Sequence, residues 1–69
     1  MPLLIVNGET RKNAAALIPE LLRGEAVPED HWKALAVAVN GRVVTRDDWA
    51  ATSLKEGDRI DIVKPFAGG

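Results

Sequence analysis

Sixty-nine residues make one small domain, which hides only about 60% of its extended-chain surface on folding; an apolar content of 46% marks it as globular, not disordered. With no cysteine and one histidine, the chain cannot build a disulfide, a thiolate site or a histidine-rich metal centre. A net charge of −1 without clustered Lys and Arg argues against nucleic acid, and no apolar run or leader segment points to a membrane, so the expected address is cytoplasmic.

Leu3-Leu4-Ile5-Val6 is a continuous apolar run, expected of a strand buried on both faces. Asn7-Gly8 follows, suited to the left-handed angles of a tight hairpin, and Glu9 to Lys12 reads as the returning edge strand. Leu17, Ile18, Leu21 and Leu22 then fall on one face of a helix. Pro19 fits as its first residue, so the helix is expected to start near Ile18 after an irregular lead-in, with Glu20 in the first turn and Gly24 as its stop. Pro28-Glu29-Asp30 predicts a single helical turn. Trp32 is expected to cover the end of the core, with a partner surface formed by His31-Trp32 as the lesser alternative. Leu35 to Val39 reads as an interior strand, Asn40-Gly41 as a second hairpin turn and Arg42 to Thr45 as its return. Arg46 to Ala50 loses the strand period and predicts a short helical turn with Trp49 packed inward. After the turn Glu56-Gly57-Asp58, the strand Arg59 to Lys64 alternates. Ile60, Ile62 and the Lys64 stem share one face, and Arg59, Asp61 and Val63 the other.

This order of hairpin, helix, strand pair, turn and last strand is the β-grasp plan, α+β in class, with a mixed sheet of about four to five strands and one main helix across it. In it the first and last strands sit side by side in the centre. The domain is expected over residues 1–64, followed by a flexible tail over 65–69 that ends Gly68-Gly69. Pro65 has no N–H to extend a ladder and so separates tail from strand. Glycines 68 and 69 fit a narrow channel and leave the last carbonyl open to a nucleophile. Five extended residues reach roughly 17 Å, enough to enter another protein's active site. A frayed end is the alternative reading of the same tail.

Taken together, Ile5-Val6-Asn7-Gly8-Glu9, Val37-Ala38-Val39-Asn40-Gly41, Arg46 with Trp49, Leu54-Lys55-Glu56-Gly57-Asp58-Arg59-Ile60 and the closing Gly68-Gly69 resemble the ThiS family. These are the small, ubiquitin-like sulfur carriers of thiamin biosynthesis. The resemblance runs nearly the full length and implies that an E1-like enzyme spends ATP to adenylate Gly69. A sulfur donor, a cysteine desulfurase or rhodanese-type protein, then displaces AMP and leaves a thiocarboxylate. The carrier is not itself an enzyme, binds no cofactor, and delivers its sulfur to a thiazole synthase. Gly68 and Ala67 would thread the enzyme's channel, and Lys64 and Phe66 would contact the partner, with Arg59 or Arg42 steering by charge. Phe66 has a second reading, folded back to close the core. The tail Phe66-Ala67-Gly68-Gly69 also resembles the end of the molybdopterin-synthase small subunit, a carrier for another pathway. Two other outcomes stay open: a ubiquitin-like modifier joined to a lysine amine, and a pure interaction module for which the glycines are irrelevant. Asp30 with His31 reads as solvated surface and Asp47-Asp48 as a polar turn lacking a third metal ligand.

Overall fold

Two Asn-Gly steps bend the chain into hairpins. Asn7 and Gly8 lie at φ 50 and 82, and Asn40 and Gly41 at φ 52 and 83, the left-handed pair that a two-residue hairpin loop needs. In a computed structural model that describes residues 2–64, these turns join β1 (Leu4–Val6) to β2 (Glu9–Arg11) and β3 (Ala36–Val39) to β4 (Arg42–Val44). The last strand, β5 (Arg59–Val63), enters between the hairpins and gives the order β2-β1-β5-β3-β4. It runs parallel to β1 and antiparallel to β3. With the helix α1 (Ile18–Gly24) packed against it, this mixed sheet is the β-grasp expected from the sequence, α+β in class.

The alternation along β5 sets the layers. Ile60 and Ile62 are buried while Arg59, Asp61 and Val63 are exposed. Leu4, Val6, Val37, Ile60 and Ile62 meet Ile18, Leu21 and Leu22 of α1, and Val27, Trp49 and Leu54 complete the core. The opposite face has no such cover among the described residues. Ile5 and Ala38 are half-buried, Ala36 is exposed, and Val43 and Val63 are 72% and 56% exposed. The run Leu3 to Val6 is therefore not buried on both faces, contrary to expectation, and Leu35 to Val39, interior as expected, is likewise covered on one face. A single helical layer covers one side of the sheet, so every second residue of an apolar run is left outward.

Helix α1 starts at Ile18 as expected, with Pro19 its second residue rather than its first, after Leu17 in extended conformation (φ −124, ψ 148). The lead-in is irregular but anchored: Leu17 bridges Ser53, and the Leu54 N–H donates to Ala16 O at 2.7 Å. The helix ends at Gly24, yet the left-handed residue lies two positions later, at Ala26 (φ 61). Val27 N–H donates to Leu22 O at 3.0 Å and Ala26 N–H to Arg23 O at 3.1 Å, the paired bonds of a Schellman ending. Buried Val27 is the apolar residue that seals it. Alanine accepts the left-handed angle at some cost, because its Cβ crowds the carbonyl.

The stretch after Pro28 is longer than the single turn expected: a 3₁₀ segment spans Glu29–Ala34. Trp32 does cover the end of the core. Its Nε1–H donates to Val27 O at 3.1 Å, its ring meets Trp49 edge-on at 5.9 Å, and the Arg23 guanidinium lies 5.4 Å above it. A second 3₁₀ segment, Arg46–Ala51, carries Trp49 inward, with Nε1–H donating to Val44 O at 2.9 Å. Arg11 ties β2 to the helix ending through Glu25 Oε2 at 3.0 Å and to Glu9 at 2.9 Å. Hydrogen bonding to Glu25, then to Glu9, holds its guanidinium pKa above the ordinary value.

Candidate functional site

The site proposed by the sequence starts where β5 ends. Lys64, the first residue beyond β5, is exposed. Pro65, Phe66, Ala67, Gly68 and Gly69 lie outside the described residues, and with them both readings of Phe66 and the proposed domain boundary. The structure shows how the strand leading to them is held.

Both neighbours of β5 turn away at an asparagine, and each asparagine keeps bonding after its backbone has left the ladder. On the β3 side, Asn40 N–H donates to Arg59 O at 2.8 Å. The return bond of that antiparallel pair would run from Arg59 N–H to the Asn40 carbonyl. Asn40 is left-handed (φ 52), and its side-chain Oδ1 accepts from Arg59 N–H instead, at 2.9 Å. Its Nδ2 also donates to Asp58 Oδ1 at 3.0 Å. On the β1 side, Ile5 N–H donates to Asp58 O at 2.9 Å and Asn7 N–H to Ile60 O at 2.8 Å. The parallel register then assigns Ile62 N–H to the carbonyl of residue 7. Asn7 is left-handed as well (φ 50), and its side-chain Oδ1 takes that role at 2.7 Å. One side chain thus completes the ladder at the first residue of β5 and another completes it next to the last.

Sequence reasoning assigned Asn7 and Asn40 to turn chemistry alone and missed this second use. Nothing in an Asn-Gly dipeptide says which strand will pass beside it. The only available signal was that asparagine, unlike glycine, carries an acceptor that can reach a neighbouring backbone.

The other candidates divide by location. Arg59 begins β5, and Arg42 pairs with Val39, which also pairs with Ile60. Both arginines therefore lie toward the end of the sheet remote from Lys64, Arg59 about 17 Å and Arg42 about 14 Å away along the strand direction. Near Lys64 the open face carries a small apolar strip beside the exposed carboxylate of Asp61. Val63 pairs with Ala36, and Ala38 lies between Asp61 and Val43. Asp30 and His31 are exposed on the first 3₁₀ segment. Asp48 Oδ2 accepts from Thr45 Oγ1 at 3.1 Å, which makes Asp47-Asp48 the polar turn expected. Among the described residues no group of three or more His, Asp or Glu could hold a metal, and no helix is long and apolar enough to cross a membrane.

Residues 4–69 match the model of the ThiS family. The crystal structure of a thiamine biosynthesis protein (ThiS) from Geobacter metallireducens is similar, with 30% identity and a TM-score of 0.77, over 97% of this chain and 99% of that one. A solution structure of a thiamine biosynthesis protein from the same organism gives 30% identity and a TM-score of 0.73, over 97% and 87%. A thiazole synthase of Paramagnetospirillum magneticum is 32% identical over 66 residues, 96% of this chain. The chain spans 20% of that relative's length.

Proposed function

The chain belongs to the ThiS family, and from that premise we propose that it carries sulfur as a thiocarboxylate on Gly69 for the formation of a thiazole in thiamin synthesis. The observation that carries the reading is the extent of the family match, which runs through the last strand to Gly68-Gly69. The similarity of a 66-residue stretch to part of a protein named thiazole synthase supports that enzyme class as the recipient.

A carboxylate is a poor electrophile, so activation comes first. A Gly69 carboxylate oxygen attacks the α-phosphorus of ATP on an E1-like partner, and pyrophosphate leaves. The outer sulfur of a persulfide on a cysteine desulfurase or rhodanese-type donor then displaces AMP to give an acyl disulfide. A second thiol cleaves its S–S bond, releasing the thiocarboxylate and leaving a disulfide on the donor side. The resulting C–S bond is the cargo. Apart from the Gly69 carboxylate itself, every acid, base and nucleophile of these steps comes from the partners, and this chain acts as their co-substrate. Gly68 and Ala67 keep the approach to the carbonyl narrow. Lys64 and Phe66 contact the partner. The apolar strip Val63, Ala36, Ala38 and Val43 on the open face provides adjoining surface.

The test is the intact mass of the protein after incubation with ATP, a cysteine-fed sulfur donor and an extract of its native host. The expected gain equals replacement of one oxygen by sulfur, and it disappears when Gly69 is deleted. The same spectrum reads whether Gly69 ends the mature chain. An unchanged mass beside a converted control carrier would overturn the proposal, and stable amide conjugates to lysine would mark a modifier instead.

A further inference from the structure

We propose that Asn7 is a positioning residue for the C-terminal tail, holding the end of β5 that leads to residues 65–69. The proposal rests on the carrier reading above and adds to it a residue 55 positions from the strand it holds.

The argument starts from which neighbour each residue of β5 faces. Arg59, Asp61 and Val63 lie in register with Asn40, Ala38 and Ala36, so the bonds of the odd-numbered residues go to the β3 side. Ile60 and Ile62 face β1. Strand β1 stops at Val6, whose partner is Ile60. From Ile60 onward, β5 would have a strand on one side only. The Asn7 carboxamide supplies the missing acceptor, so β5 is bonded on both of its sides as far as Ile62, two residues before Lys64. A strand end held on one side frays more readily than one held on both. Each residue that frays lengthens the segment whose freedom is lost when the tail enters a partner.

Asn40 provides the matched comparison. It makes the same side-chain replacement on the same strand, but at Arg59, where the chain enters the sheet. Removing either carboxamide takes away one ladder bond. Only the loss at Asn7 loosens the residues that lead to the tail.

The experiment compares Asn7→Gly, Asn7→Asp and Asn40→Gly with the wild-type chain. Glycine keeps the left-handed turn and removes the acceptor, whereas aspartate keeps an acceptor and tolerates the turn. Amide exchange by NMR is expected to speed up roughly tenfold at Ile62 in Asn7→Gly, with core amides such as Val37 still protected. Kinetics of ATP–pyrophosphate exchange with the E1-like adenylating enzyme of the native host give the functional readout. In Asn7→Gly, KM for the carrier is expected to rise about fivefold with kcat unchanged, the factor carried by ordering part of one further residue. Asn7→Asp should restore the wild-type KM, and Asn40→Gly should leave it within about twofold. Normal wild-type kinetics with Asn7→Gly and Asn40→Gly indistinguishable in KM would overturn the positioning role and leave the carrier reading intact. A wild-type chain that is never adenylated, beside a carrier that is, overturns both.

Discussion

The two ends of β5 are built from the same parts and differ in what surrounds them. At its start, Arg59 follows a turn in which Asp58 Oδ2 accepts from Lys55 N–H at 2.8 Å, Gly57 N–H donates to Leu3 O at 2.7 Å, and Asn40 bonds both Asp58 and Arg59. At its finish, Val63 pairs with Ala36, Ile62 is held by Asn7, and Lys64 is exposed. The start is a clasp of several mutually supporting bonds. Among the described residues the finish has fewer such bonds and a partly apolar open face, and it leads to the segment to which the chemistry is assigned. The clasp and the proposed chemistry thus fall at opposite ends of one strand, and substitutions at the two ends have different readouts.

The largest contrast comes from the tail itself. Deleting Gly69 is expected to abolish thiocarboxylate formation, read by intact mass, while thermal unfolding stays where it was. Next come the two faces of the strand. Ile60 is fully buried near the start, so Ile60→Ala should cost about 2–5 kcal/mol in chemical denaturation. Val63, 56% exposed at the finish, should change stability by less than about 0.5 kcal/mol as Val63→Ala. Similar losses for the two would remove the distinction. Asp58→Ala sharpens it at the clasp: two donors lose their acceptor, for about 1–2 kcal/mol. The smallest effect belongs to Lys64→Glu. It should leave denaturation curves superimposed and slow association with the activating enzyme roughly threefold at low salt, the difference shrinking as salt is added.

Much of this architecture is legible in local sequence because local physics produces it. Asn-Gly permits the tight left-handed turn, so both hairpins fall where the dipeptides stand. Pro19 cannot sit inside a helix, which puts the start of α1 at Ile18. Alternation along residues 59–63 gives the inward face of β5 correctly. The failures have physical causes too. An apolar run such as Leu3 to Val6 does not state how many layers will cover it, and Ile5 is only half-buried because one helix covers one face. Ala26 holds the left-handed position after α1, where propensity favours glycine, because the Schellman bonds and buried Val27 outweigh alanine's preference. Trp32 and Trp49 behave as core residues, and the ordinary reading of their size was sufficient.

Of the proposed site, the sequence supplied the chemistry and the structure supplied the base from which it acts. The terminal glycines and the family resemblance follow from residues adjacent in the chain, whose order survives without any fold. Which strand Asn7 would meet was not encoded locally. Its backbone fits any tight hairpin, and its carboxamide acquires a partner only when β5 passes beside β1, 55 residues later. Pairing of that range is decided by burial of the shared core face, Leu4 and Val6 with Ile60 and Ile62. The sequence alone determined the turns and the helix start, and it supplied the glycines on which the proposed chemistry rests. Tertiary structure decided that an asparagine in the first turn would hold the strand that leads to it.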